Sequence, residues 1–307
     1  MLRSEIVRKE PIRHHYIPQF ILRNFACDDC RKLVCYYDKE NQTVSKREIC
    51  EIFMERNLYR DEINYVQEPV QIEYDLAKYE SEVSKIIREK FLDDCKIELT
   101  SREDNMLKLF FAIMSYRSIV AKEQFTNRLT DKSKNIYKNY QKNENFEDLW
   151  KRNLGYLARC RTMNDVMKHP EIDIPIKLFM QRDINGLYGK YFVVVEAKEE
   201  TSFILGDCYP VVIFGDNMNI VMYEIFPISP KRAILLASVG VEATPSTVLT
   251  LRKGVFDMPQ INENGDIVIR RKRILPEEVY YLNTEIENNS HKGFIFFEPY
   301  KIFKTGE

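Results

Sequence analysis

Apolar residues recur along this chain with two periods, and the change between them divides it into three parts. In residues 1–69 the signals are short. Pro18 stands where a helix can begin, because its missing N–H costs nothing in a first turn. Ile21, Leu22 and Phe25 then share one face at helical spacing, so a short helix is expected from Pro18 to Ala26, with Arg13-His14-His15-Tyr16 as its extended lead-in. Leu33 to Asp38, the polar stretch Lys39-Glu40-Asn41-Gln42, and Thr43 to Ser45 carry a β-hairpin signature.

From Val70 to Asp183 the period is helical. Leu76, Tyr79, Val83 and Ile86-Ile87 mark one amphipathic helix. A second is expected from Ser101, a suitable N-cap with Asp104 at N3, through Met106, Leu109-Phe110, Ile113 and Met114 to Val120. Its centre is apolar nearly all round, which predicts a buried core helix. Lys122 to Lys142 is polar and Lys-rich and reads as a long exposed helix or an insertion. Leu149 to Met167 supplies one or two more helices, closed by His169-Pro170.

After Gly189 the pattern turns β-rich: Tyr191 to Val195, Phe203 to Leu205, Val211 to Phe214, Ile220 to Phe226 and Ala233 to Leu236. Strands this close, with no helices between them, suggest antiparallel pairing. A last helix opens at Pro276 and ends near Asn289, before a closing strand from Phe294 to Phe297. The expected fold class is therefore α+β. It is read as a single domain over residues 1–307, in which the helical region 70–188 packs on a mostly antiparallel sheet from the N-terminal (1–69) and C-terminal (189–307) strands.

Composition narrows the function classes. Lys plus Arg number 46 and Asp plus Glu 47, so the net charge of −1 supplies no overall field toward nucleic acid or membrane. The hydrophobic share of 44% and charged share of 30% are those of a globular chain, not a disordered or fibrous one. No apolar run is long enough for a membrane helix. Met1 to Arg13 is charged and lacks the apolar core of a secretory signal. The seven cysteines are scattered, which reads as reduced thiols and a cytoplasmic location. Cys27-Asp28-Asp29-Cys30 is either half a zinc site, a redox pair, or simply a turn; no second CxxC follows it.

His14 and His15 are two of only four histidines. In an extended segment adjacent side chains point to opposite faces, so the two are not expected to bind one metal together. Either suits a ligand, a general base or a general acid, since histidine alone titrates near neutrality unaided. The competing reading is two structural histidines that cap the following helix.

The segment His14-His15-Tyr16-Ile17-Pro18-Gln19-Phe20-x-Leu22-x-Asn24-Phe25 closely resembles the opening signature of an uncharacterised, mainly bacterial family, the domain of unknown function numbered 4238. Further pieces are similar to that family in its order: Glu80 in Leu76-Ala77-Lys78-Tyr79-Glu80, Arg117 in Met114-Ser115-Tyr116-Arg117, and Asp207 in Phe203-Ile204-Leu205-Gly206-Asp207. Pro227-Ile228-Ser229-Pro230 and Leu282-Asn283 complete the resemblance, which covers nearly the whole chain. Two departures stand out. Cys208-Tyr209 intervene before Pro210, and Ser118-Ile119 stand where Thr-Pro often follows the arginine. The family carries no settled reaction, so the resemblance implies a fold and a choice of residues more than an activity.

That choice is His14, His15, Gln19, Glu80, Arg117, Asp207 and Asn283. The mix suits attack on a phosphodiester. His14, His15, Gln19, Arg117 and Asp207 are the candidate catalytic residues, and Glu80 with Asp207 the candidate ligands of a divalent ion, Mg²⁺ or Mn²⁺. The plainer alternatives are that Arg117 is a buried partner of Glu80 or Asp207, and that Asp207 satisfies turn amides. His169 and His291 read as incidental. Arg270-Arg271-Lys272-Arg273, and Lys132, Lys134, Lys138, Lys142, Lys151 and Arg152 interleaved with Tyr137, Tyr140 and Trp150, could follow a nucleic-acid backbone while aromatics stack on bases. More ordinarily they are a solvated face. Gly-rich nucleotide loops and a Gly-x-Ser-x-Gly elbow are absent. The expectation is a metal-assisted, nuclease-like phosphodiester hydrolase, in bacterial or phage conflict. The alternatives are a non-catalytic module that binds a nucleotide or a protein and, more remotely, a nucleotide-dependent transferase.

Overall fold

The computed structural model describes residues 10–92, 96–127, 145–185, 189–198, 200–215, 221–241 and 251–297. The chain opens with β1 (Arg13–His15) and the single turn α1 (Gln19–Leu22), which tightens to a 3₁₀ turn over Arg23–Phe25. The hairpin β2 (Leu33–Asp38) and β3 (Thr43–Glu48) follows, then β4 (Met54–Arg56). The helical part comprises α2 (Gln71–Ile86), β5 (Lys96–Leu99), α3 (Ser101–Arg117), α4 (Ile119–Asn127), α5 (Phe146–Leu157), α6 (Met163–Lys168) and α7 (Ile174–Asn185). Then come β6 (Lys190–Ala197), β7 (Leu205–Gly206), β8 (Val211–Phe214), β9 (Val221–Ser229), β10 (Arg232–Ser238), β11 (Gln260–Ile261), β12 (Ile267–Ile274), α8 (Pro276–Asn289) and β13 (Gly293–Phe296).

The strands form three sheets rather than one. The central sheet has the order β11-β12-β6-β10-β9-β8, with β5 on the first half of β12. All its pairings are antiparallel except β12 with β6, which run parallel from Arg271 opposite Val194 to Ile274 opposite Ala197. A second sheet, β3-β2-β13-β7, joins the N-terminal hairpin to the C-terminal strand, and β1 pairs with β4 alone. The class is α+β, as expected. The layout is corrected in two respects. The N-terminal hairpin builds its own sheet and does not extend the central one, and the helical region contains a strand, β5, that belongs to the central sheet.

The central sheet is covered on both faces. Phe192, Val194, Phe226, Ile228, Ile234 and Leu236 point into a core shared with Phe110, Phe111 and Trp150 of the helices. Tyr191, Val193, Val195, Ile225, Ala233 and Leu235 face a second core with Val279, Leu282 and Ile286 of α8 and with Phe294 and Phe296. Two-sided burial explains why Tyr191 to Val195 of β6 reads as an unbroken apolar run without alternation, and why β9 is apolar on both sides of its one acid, Glu224.

Local chemistry sets the element ends. The cap of α3 is Thr100, not Ser101: its hydroxyl accepts from Glu103 N at 3.2 Å, and the Glu103 carboxylate accepts from Thr100 N at 2.8 Å. The helix stops at Arg117 because Ser118 is extended, so the apolar positions toward Val120 belong to α4. Cys27 and Cys30 flank a turn that Asp28 closes by accepting from Lys32 N and Leu33 N. The Lys-rich stretch from Lys132 to Lys142, with Tyr137 and Tyr140, lies outside the described residues. Among the described residues no helix is long and apolar enough to cross a membrane.

Candidate functional site

β1 holds the two histidines in the extended form expected, and pairing with β4 buries both. Strand alternation sends their rings to different partners. His14 Nδ1 accepts from Tyr59 N at 2.8 Å, and Nε2 donates to Pro11 O at 3.1 Å. The ring stacks on Tyr59 with centroids 5.6 Å apart. His15 Nε2 donates to Ile49 O at 3.1 Å, and its Nδ1 accepts from Gln19 Nε2 at 3.3 Å. Gln19 in turn accepts from Arg23 at 2.8 Å. A backbone carbonyl can only accept and a backbone or amide N–H only donate, so each ring is a neutral Nε2–H tautomer with both nitrogens used.

Burial lowers the pKa of both histidines, that of His15 to about 4 from an ordinary 6.5. The Ile49 carbonyl opposes this, while the charges of Arg117, Arg23 and Arg13 add to it. The folded chain therefore binds fewer protons here than the unfolded chain. The associated stability is complete above the unfolded value of 6.5 and is lost as pH falls toward 4, by as much as about 3 kcal/mol for His15. In a ¹H–¹³C NMR titration of the histidine rings, His15 is expected to hold a constant shift from about pH 8 down to about pH 5.5, and His14 to titrate below the ordinary 6.5. Titration of either near 6.5 would show that the rings are not confined in this way.

Arg117 lies beneath the motif, at the end of α3. Its Nη1 donates to Glu80 Oε1 at 2.6 Å, and its Nη2 donates to the carbonyl of His15. The guanidinium sits 5.5 Å from the centre of the Tyr59 ring, and the Tyr59 hydroxyl donates back to Arg117 O at 3.2 Å. The Arg117 side chain is 1% exposed, whereas that of Glu80 is 22% exposed, so the cluster meets solvent at its acidic side.

A further carboxyl belongs here. Glu73 precedes Glu80 by seven residues on α2, two turns along the same face. Burial, then the negative charge of Glu80, pushes the Glu73 pKa up to about 8 against the pull of Arg117. Glu73 is thus a protonated acid beside an ionised pair at neutral pH. The sequence does not single it out: its one signal is the helical spacing from Glu80, and an apolar stripe elsewhere on α2 hides that an acid is enclosed.

Asp207 and Asn283 do not join this group. Asp207 Oδ1 accepts from His291 N at 2.8 Å and Oδ2 from Lys292 N at 2.7 Å, fastening the turn between α8 and β13. Asn283 accepts from Ile204 N at 3.1 Å and donates to Ser202 O at 2.8 Å. Both bind the segment around β7 to the α8 end of the molecule. The charge of Asp207 is felt at Tyr16 of the motif and at Tyr36, whose pKa values are raised first by burial and next by that charge, that of Tyr36 to about 12. Of the seven residues singled out, five assemble and two serve elsewhere.

Glu80 and Asp207 therefore do not fit a common metal centre. One pairs with Arg117, and the other has both oxygens on backbone amides. Among the described residues no group of three or more His, Cys, Asp or Glu is placed to hold a metal ion.

The basic run is not a continuous stripe, because it lies on β12 and its side chains alternate. Arg271 pairs with Glu196 at 3.1 Å, Arg273 reaches the same carboxylate at 4.0 Å, and Lys272 pairs with Asp257. Only Arg270 of the four has no acidic partner among the described residues, and it is exposed. Lys151 pairs with Glu147 at 2.9 Å and Arg152 with Asp173 at 3.1 Å. Trp150 is wholly buried against Tyr59 and Tyr116, so it is a core residue and not a platform for bases.

Fold and site together define an α+β protein organised around a buried arginine–glutamate pair beneath an N-terminal His-His motif. The chain belongs to the family described as Protein of unknown function (DUF4238), whose model matches residues 13–301. No curated protein and no solved structure matches it.

Proposed function

We propose that the protein is a phosphodiester hydrolase, nuclease-like, that works at the Glu73–Glu80–Arg117 cluster. The observation behind this reading is a pair of carboxyl groups on one helix face held in different states: Glu73, with its pKa pushed up to about 8, protonated at neutral pH, and Glu80 paired with a buried arginine. Carboxyls whose environments drive them apart are the mark of acid–base work. In this reading Arg117 holds negative charge on the phosphoryl group and Glu73 supplies a proton to the leaving oxygen. His14, His15 and Gln19 position: they fix the strand whose carbonyl orients Arg117. A bacterial cytoplasm and a role against or for phage are the setting this reading carries, and free thiols at the described cysteines accord with it.

The test is cleavage of labelled single-stranded RNA, single-stranded DNA and duplex DNA, each with Mg²⁺, Mn²⁺ or EDTA. Wild type is expected to cut one of these, and Glu73→Gln, which keeps the shape of the side chain, to lose at least about 100-fold. Loss of cutting in EDTA would add a metal to the site. No cutting by folded protein would overturn the reading in favour of the second one, a non-catalytic module for an anionic ligand. The specific observation on that side is that both histidine rings are saturated by backbone and amide partners, leaving neither as a base.

A further inference from the structure

A recess lies on β12 where that strand changes partners. It pairs with β5 as far as Arg270, which stands opposite Lys96, and with β6 from Arg271 onward. Val268, Arg270 and Lys272 fall at every second position and so share one face of the strand. They and Val193 of β6 line one side of a space of about 100 Å³, and the stretch from Val255 to Gln260 lines the other. Val193, Val255 and Val268 are buried, which makes the floor apolar. Arg270, Met258 and Gln260 are exposed, so the mouth meets solvent.

The charges here leave one cation over. Lys272 donates to Asp257, and Lys96 pairs with Glu98 at 2.5 Å. Arg270 has no acidic partner among the described residues. It faces Lys96 directly across the ladder, where like charges repel, so an anion at Arg270 relieves both. One free guanidinium over three valines matches a single negative charge better than a dianion, whose second charge would be left poorly solvated. The valines ask for a hydrocarbon body. A volume of about 100 Å³ limits that body to a few carbon atoms.

We propose that this recess binds a small aliphatic carboxylate, its charge held by Arg270 and its hydrocarbon end by Val193, Val255 and Val268. Asp257 is a built-in rival, because it occupies Lys272, the second cation the ligand could use. The site does not rest on the hydrolase reading, and either can fail without the other.

Isobutyrate is the probe, titrated into the full chain at pH 7 and constant low ionic strength and followed in ¹H–¹³C methyl spectra. Saturable shifts are expected at the methyls of Val193, Val255 and Val268. Isobutyramide has the same shape without the charge, and Arg270→Gln removes the guanidinium; each should weaken binding at least about 10-fold. Acetate lacks most of the hydrocarbon body and should bind about 10-fold more weakly than isobutyrate. Arg270 is exposed, so Arg270→Gln should fold as wild type does, which thermal unfolding checks. Asp257→Asn releases Lys272 and is expected to tighten binding several-fold. No saturable shift at these methyls, equal binding of isobutyramide, or unchanged binding by Arg270→Gln would overturn the proposal. Unchanged affinity in Asp257→Asn would overturn the part assigned to Asp257 as rival.

Discussion

Arg117→Met is expected to cost about 3–5 kcal/mol of folding stability, the penalty of removing one partner of a buried pair. Methionine replaces most of the volume but none of the charge, so the loss is electrostatic more than steric. The carbonyl of His15 loses its donor, which alone is worth about 1–3 kcal/mol when the group is buried. Tyr59 loses the cation above its ring, and Glu80 keeps a carboxylate with less to hold it. The Glu80 share is discounted because that side chain still meets water at 22% exposure. Urea unfolding at pH 7 measures the sum. The informative variant is the double one, Arg117→Met with Glu80→Leu. An apolar pair can replace a buried ionic one at little cost, so the double variant should recover about 1–3 kcal/mol relative to the single one. A single variant within about 0.5 kcal/mol of wild type would show that Arg117 does not hold β1 and α2 together.

The same residue shows where the sequence is legible and where it is not. Periodicity announces α2 and α3, Pro276 at a first turn announces α8, and the apolar–polar–apolar order with turn residues announces the β2–β3 hairpin, because these signals are local. The unbroken run Tyr191 to Val195 in β6 is what burial on two sides produces. Which strand pairs with which is a different matter. The parallel contact of β12 with β6 and the transfer of β13 to the N-terminal hairpin depend on residues far apart in sequence. Short strands such as β5 and β11 carry too few positions to show a period. At the site, residue type and extended backbone mark His14, His15 and Arg117, and a buried Arg117 paired with Glu80 or Asp207 is among the readings, but the choice of partner and the burial of the histidines do not appear until the tertiary contacts form. Burial decides the chemistry: it turns two candidate bases into neutral anchors and turns an overlooked helix position, Glu73, into an acid. Asp207 shows the converse. A carboxylate after a strand has two common uses, and only the positions of His291 and Lys292 N–H select the turn-closing one.

Lys190→Met is the other substitution expected to cost about 3–5 kcal/mol at pH 7. Lys190 starts β6 and Glu224 lies on β9, with β10 between them, so the lysine reaches over one strand to meet the carboxylate. Their side chains are only 2% and 1% exposed. A second acid, Asp183 of α7, faces the same ammonium and is helped by the Ser115 hydroxyl. Two carboxyls share one lysine in the interior, and one oxygen of each has no partner. Burial, then the charge of Asp183, pushes the Glu224 pKa up to about 8 even with Lys190 present; burial raises Asp183 as well. The cluster therefore keeps a proton at neutral pH, which the unfolded chain, with its glutamate at 4.5, does not. Because the folded state binds the extra proton, this contribution is complete below 4.5 and is lost as pH rises toward 8. Removing Lys190 withdraws the cation that both acids share and leaves Asp183 with the charge of Arg182, so both acids are driven toward protonation and the loss on raising pH becomes steeper. Glu224→Gln separates the two effects. It still accepts from Lys190 and needs no proton, so its stability should match wild type to within about 1 kcal/mol near pH 5 and exceed it increasingly toward pH 8. Urea unfolding of the three proteins at pH 5, 7 and 8 checks this. A Lys190→Met chain as stable as wild type at pH 7, or a Glu224→Gln difference that does not grow with pH, would mean that the cluster is neither ionised nor coupled as its burial requires.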